Sequence, residues 1–396
     1  MIKKLFKIYE GLEKEIYVLA IAKLVNALGY FVFPFLSLYL TGNLNISVAI
    51  VGIILAVINT ISIPMTLLGG LLCKKCNNKA VAILPQLCSA ICFFIVVFVN
   101  NVAAKIFFSG LGFSVSCVSQ PAIDACLGNK CNSDKKTNAF SLVYFAQNVG
   151  FGMGSVVAGT IFKINPNIIF IVDAITTIIS CIILYLFLAN DYIYSDGKTN
   201  NDEGVKKNKL FVDYNKKEFF VLLILNAIAY GQIQFLLPLY LKEYLGSNST
   251  VFYGFLVGLN SVLVIFLSPI VTQIFGQRKL SKTLFFGEFV FAVGYLTYGI
   301  SLNKLSLLIA MFIFTLGEVL FSVCYMPYLV QDVNKNQVGM ISSVANSFYK
   351  AGSILSPLVG GLIISFIGYR KSWMIVSGFL CIGCMIMRIL IKENNE

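Results

Sequence analysis

Twelve continuous apolar runs, each long enough to cross a bilayer as one helix, constrain this chain more than any single residue. They fall at roughly 16–41, 46–72, 79–99, 102–127, 138–163, 166–190, 218–245, 250–275, 282–301, 305–330, 340–367 and 372–391. A spanning helix needs about 20 apolar residues. Inside hydrocarbon every backbone N–H and C=O must be satisfied within the fold, which leaves only helices and closed barrels. These runs are continuous rather than alternating over short strands, so a barrel is excluded. The sequence therefore predicts an all-α membrane protein with twelve transmembrane helices. Charged residues make up 12% of the chain, against about 25% in soluble domains.

A net charge of +12 would raise nucleic acid as a partner for a soluble protein. Here the charge follows the loops. Lys3, Lys4, Lys7 and Lys14 precede the first run, Lys74, Lys75 and Lys79 follow the second, and Lys130, Lys135 and Lys136 follow the fourth. Lys198, Lys206, Lys207, Lys209, Lys216 and Lys217 fill the middle loop, and Arg278, Lys279 and Lys282 follow the eighth run. The alternate loops carry only Lys105, Lys163, Lys242, Lys304, Arg370 and Lys371. This asymmetry is the positive-inside pattern, and it predicts a cell-membrane protein with both termini in the cytoplasm. Basic charge means topology here, and no soluble basic domain exists to bind nucleic acid. The basic N-terminus leads through Glu10, Glu13 and Glu15 into a run too long for a signal core, so the first helix is expected to be retained.

The second half repeats the first at an offset of about 202 residues. Gly52 returns as Gly254, Gly150 as Gly352 and Gly159 as Gly361, while Leu38-Tyr39-Leu40 returns as Leu239-Tyr240-Leu241. Two repeated halves in a membrane chain predict two pseudo-symmetric six-helix bundles with a substrate site between them. The expected division is a bundle over 1–190, a cytoplasmic linker over 191–217 and a second bundle over 218–396. No P-loop is present, which argues against ATP-driven transport by this chain.

A charge at the bilayer centre costs about 2.5–3.5 kcal/mol on insertion scales, so each one needs a reason. Glu318 stands thirteen residues into the tenth run, near the midplane at 1.5 Å per residue. Burial without a cation beside it penalises the charged form, which would let the carboxyl take up and release a proton. A pair with Lys350 would instead hold it ionised, and both readings stay open. Asp173, about seven residues from the outer end of the sixth run, fits either a proton relay or plain solvation at the interface. Lys23 and Asp124 should lie in the cytoplasmic third and could pair, either as an inner gate or as a structural ion pair. Glu288, about six residues from the cytoplasmic edge of its run, reads as interfacial. Asn26, Gln147, Asn148, Gln232, Gln234 and Asn260 are polar groups that need partners from neighbouring helices or from a wet cavity. Gln232 and Gln234 cannot share a face, and Gln232 is the one expected in the cavity with Asn26, Asn260 and Lys350.

Small residues let helix backbones approach, so Gly150, Gly154 and Gly159 are expected either on sliding surfaces between the halves or in plain tight packing. The eleven cysteines, including Cys73-x-x-Cys76 and Cys381-x-x-Cys384, read as small apolar packing residues. With no histidine and no second loop pair at zinc spacing, no metal and no cofactor is expected.

The stretch NVGFGMGSVVAG around Gly150 resembles the antiporter-associated motif of the major facilitator superfamily, with Ser155 where that motif usually carries proline. GGLLCKKCNNK resembles the superfamily's gating motif. Gly69 and Lys74 match it, while Cys73, Cys76, Asn77 and Asn78 replace its aspartate, glycine and basic pair. Lys105 precedes Gly110 at the spacing of a basic residue and glycine in efflux members. PFLSLYL and TLGE resemble a bacterial multidrug-efflux, drug:proton antiporter branch, whose in-membrane carboxylate implies proton antiport and maps onto Glu318. The resemblance covers essentially the whole chain. It implies a monomeric secondary transporter, not an enzyme, whose partners are a small-molecule substrate, protons and the lipid bilayer. The expected activity is proton-coupled export of a hydrophobic or cationic small molecule by alternating access. Nutrient uptake, or sensing without transport, remains the alternative.

Overall fold

A computed structural model describes residues 9–73, 75–129, 136–189, 217–275, 280–301, 303–330 and 338–393. They form fourteen α-helices and no strand among the described residues. In chain order these are α1 (Lys14–Gly29), α2 (Val32–Gly42), α3 (Val48–Cys73), α4 (Asn78–Phe98), α5 (Val102–Ser116), α6 (Gln120–Asn129), α7 (Lys136–Ile164) and α8 (Ile168–Phe187). The second half continues with α9 (Lys217–Leu245), α10 (Ser249–Phe275), α11 (Leu280–Ile300), α12 (Lys304–Val330), α13 (Val338–Ile367) and α14 (Tyr369–Glu393). Eleven described segments are long and apolar enough to cross a membrane. One of them, Glu218–Val271, is 54 residues long and turns through Gly246–Asn248 between α9 and α10, which accommodates the twelve crossings predicted. Gly246 makes that turn at φ +57°, where a side chain would be strained. The expected linker falls almost wholly outside the described residues, as does Lys74.

The first run is one apolar stretch but two helices. Pro34 has no N–H to offer the carbonyl of Tyr30, and its ring crowds that carbonyl, so the helix breaks four residues earlier. Tyr30 sits at φ −68° and ψ 71°, outside helical geometry, and α2 restarts at Val32. The freed N–H groups of Phe31 and Val32 face α8.

Within the first half, α1 packs on α7 and α8, and α4 packs on α5 and α8. Within the second, α9 packs on α13 and α14, and α11 packs on α12 and α14. The halves meet mainly through α7 with α10 and α3 with α13. A Cβ on Gly52 would collide with the carbonyl oxygen of Pro357, and one on Gly254 with that of Ser155. Gly52 also lies against Gly361, and Gly254 against Gly159. These are the same repeat positions exchanged between halves. Pro357 and Ser155 differ as side chains, yet each supplies a backbone carbonyl, so the departure from proline at Ser155 costs the contact nothing.

All these contacts lie toward one end of the helices, here called the far end, where Gly42 meets the Lys242 side chain and Lys163 donates to Asn248 Oδ1 at 2.8 Å. Followed toward the near end, the same faces become exposed at Thr60 on α3, Ser141 and Tyr144 on α7, and Asn346 and Lys350 on α13. The halves are closed at the far end and parted at the near end.

Overpacking a close contact costs about 1–3 kcal/mol. Gly52→Ala and Gly254→Ala are each expected to lower the melting temperature of the purified protein and to loosen the far end. Gly378→Ala, with nothing within 4 Å of its added Cβ, should leave melting unchanged. Equal melting for all three variants would contradict this assignment.

Candidate functional site

A cavity of about 300 Å³ lies within the first half, between α1, α4, α5, α7 and α8. Its walls are aromatic and amide-bearing. Phe33 stacks on Phe113 at 4.2 Å between ring centres, Tyr30, Phe93 and Phe151 complete the apolar side, and Asn26, Gln86, Ser89, Gln120 and Gln147 supply polar groups. The second half contributes one described side chain, Lys350 from α13. Cavities of this size hold a single small ligand.

Asp173 stands at the break in the first run. Its Oδ2 accepts from the backbone N–H groups of Phe31 and Val32, both at 3.3 Å, and its Oδ1 accepts from Thr177 Oγ1 at 3.5 Å. The side chain is 4% exposed, so solvation at an outer interface is excluded. It caps a half-helix: the orphan N–H groups and the positive end of the α2 dipole select a carboxylate. Asn26, beside it, donates to Thr177 Oγ1 at 3.1 Å.

Lys23 and Asp124 are joined through an intermediary. Lys23 Nζ donates to Gln120 Oε1 at 2.8 Å, and Gln120 Nε2 donates to Asp124 Oδ1 at 3.0 Å. The direct pair expected from the sequence is thus replaced by a relay across one amide, all within the first half.

Glu318 lies on α12 in the second half. Asn260 Nδ2 on α10 donates to its Oε2 at 2.8 Å and to Thr315 Oγ1 at 2.9 Å. Tyr230, Tyr349, Tyr295, Tyr298 and, from the first half, Tyr144 are further polar neighbours. Among the described residues no ion pair joins Glu318 to Lys350, which extends into the first-half cavity near Cys117 instead.

Two residues expected in the cavity are spent elsewhere. Gln232 is fully buried, its Nε2 donating to the Ser356 carbonyl at 2.7 Å and to Ser356 Oγ at 2.9 Å, and it ties α9 to α13. Asn260 serves Glu318. The glycines also divide: Gly150 and Gly154 press on the Leu24 and Leu28 carbonyls of α1 within the first half, whereas Gly159 meets Thr250 across the halves. Gly69 packs against Val118 of the turn between α5 and α6, again within the first half, and no contact between halves is made there. Glu288 is not interfacial. It is fully buried on α11 against Asn226 of α9 and Gly383 of α14, with Oε1 accepting from Asn226 Nδ2 at 2.9 Å and Oε2 without a partner among the described residues.

Sequence reasoning missed Tyr30, Gln86, Ser89, Gln120 and the tyrosines around Glu318. Pro34, with Gly29 before it, was the available signal for the break. Apolar-run patterns carry no mark for an aromatic that turns inward.

A helical membrane fold with a small open cavity, a break capped by a buried carboxylate and halves closed at one end defines a solute transporter. The chain belongs to the Major Facilitator Superfamily, whose family model matches residues 19–357. It is a multi-pass membrane transporter and not an enzyme. It is similar to the uncharacterized MFS-type transporter YttB of Bacillus subtilis, 25% identical over 372 residues covering 89% of each chain. It is also similar to the proton-coupled antiporter flippase LtaA of Staphylococcus epidermidis, 24% identical over 83% of this chain and 82% of that one. Its fold matches the crystal structure of the nucleoside transporter NupG at a TM-score of 0.74, with 15% identity over 96% of this chain and 100% of that one.

Removing the Asp173 carboxyl leaves the buried Val32 N–H unpaired and takes one of two acceptors from the Phe31 N–H, which also donates to the Gly29 carbonyl at 2.6 Å. An unpaired buried donor costs about 1–3 kcal/mol. Asp173→Ala is expected to lower the melting temperature markedly, and Asp173→Asn, which keeps one acceptor oxygen, to lower it less. An alanine variant as stable as the parent would contradict the capping role.

Proposed function

We propose that this transporter is a proton-coupled antiporter exporting a hydrophobic small molecule across the cell membrane by alternating access, with both termini in the cytoplasm. The observation that carries the reading is the setting of Glu318: a carboxyl near the middle of its helix whose described partners are neutral amide and phenol groups. A carboxyl so placed can bind and release a proton as its access to water changes, because no fixed cation holds it ionised. The proton-coupled antiporter among the relatives supports the same reading. The proposed moving parts are residues 1–190 and 218–396, joined by 191–217. Parting at the near end and closure at the far end correspond to one of the two states that alternating access requires. Asp173 is proposed to hold the first-run break in register while Glu318 handles the proton. Because one chain supplies the whole described lining of the cavity, a monomer suffices for the cycle.

The test is transport by the reconstituted protein under an imposed pH gradient. Glu318→Gln is expected to lose gradient-driven flux while retaining substrate exchange at equal pH on both sides. Undiminished gradient-driven flux in this variant would remove Glu318 as the coupling group, and substrate moving only inward with protons would overturn export.

A further inference from the structure

We infer that the cavity recognises an organic anion with a flat apolar body, and that Lys350 is the group that binds its charge. The inference rests on the transporter reading and puts an apolar anion in place of the hydrophobic or cationic cargo expected from the sequence.

Three charged side chains line the cavity among the described residues: Lys23, Asp173 and Lys350. Two are already engaged. Asp173 has its oxygens on the Phe31 and Val32 N–H groups and on Thr177, and Lys23 is bound to Gln120 and, through it, to Asp124. Lys350 is exposed into the cavity, with no hydrogen bond or ion pair to a described residue. An ammonium at membrane depth is expensive unless it has a partner or a task. In a low-dielectric cavity it attracts an anion far more strongly than it would in water. Phe33, Phe113 and Phe151 offer flat apolar surface to the rest of such a ligand.

The origin of Lys350 adds a mechanical consequence. Every other described lining residue belongs to the first half, so an anion on Lys350 ties α13 to the first-half helices. Ligand charge would then draw the near ends together. The repeat counterpart of Lys350 is Asn148, whose Nδ2 is spent on the Tyr144 carbonyl at 2.8 Å, so this coupling has no second copy.

Cys117 lines the same cavity close to Lys350 and reports on its field. The full chain in detergent is treated with sulfonatoethyl or trimethylammonioethyl methanethiosulfonate, and modification of the Cys117 peptide is followed by mass spectrometry. The sulfonate reagent is expected to react faster. Lys350→Gln should reduce that preference roughly tenfold, as one unit charge a few ångströms away would, and Lys350→Arg should keep it. Naphthoate is expected to protect Cys117 where naphthylmethylammonium does not. Equal or cation-favoured labelling of the parent protein, or a preference unchanged by Lys350→Gln, would overturn the proposal. None of these readings involves a pH gradient or Glu318, so they fail or succeed independently of proton coupling.

Discussion

The structure depends on one constraint: at the far end the two halves approach backbone to backbone. Gly52 against Pro357 and Gly254 against Ser155 allow this, because any side chain at either glycine would strike a carbonyl oxygen. Contacts so short hold the far end shut in this state and have to separate for that end to open. They bring α3 to α13 and α7 to α10 at one end, leave those helices splayed at the other, and let the near-end faces line a space open to a ligand. Between helices in lipid, where apolar burial gives no net drive, close packing of small residues is the available source of association.

Buried carboxyls divide the remaining work. Asp173 answers a local problem, since Pro34 breaks the first run and strands the Val32 donor, which a neighbouring helix must satisfy, while the Phe31 N–H is shared between Asp173 and the Gly29 carbonyl. Glu318 meets only amide and phenol groups, and Glu288 meets one amide and leaves an oxygen unpaired. Only the first has its oxygens matched by fixed backbone donors, which suits a structural role. Neutral partners leave Glu318 free to change protonation at small structural cost. The one cation that could have fixed Glu318, Lys350, points into the other half.

The fold was legible because apolar runs and loop charge follow directly from the cost of placing polar groups in hydrocarbon. Family membership was legible in the glycine-rich stretch around Gly150 and in the residues flanking Gly69. The site was less so, for reasons visible in particular residues. Depth along a helix located Glu318 and Asp173 but could not say what faced them. Gln232 and Asn260 satisfy the same sequence rule as Asn26, yet only Asn26 reaches the cavity, because partner choice depends on helix rotation. Glu288 was misplaced because distance from a helix end measures depth in the membrane and not burial among neighbouring helices. Gly150 and Gly154 read equally well as interface or as tight packing, and the structure packs them on α1 because small size alone does not say which helix a glycine meets.

Rocking of the two halves against each other, with the far end opening as the near end closes, is tested most directly by two interspin distances measured on the same reconstituted protein. One pair of labels replaces Lys163 and Asn248 at the far end, and the other replaces Lys75 and Lys282 at the near end. Across a pH change or on addition of transported substrate, the far-end distance should lengthen as the near-end distance shortens. Distances that stay fixed, or that change in the same direction, would contradict the rocking of two halves about a shared site.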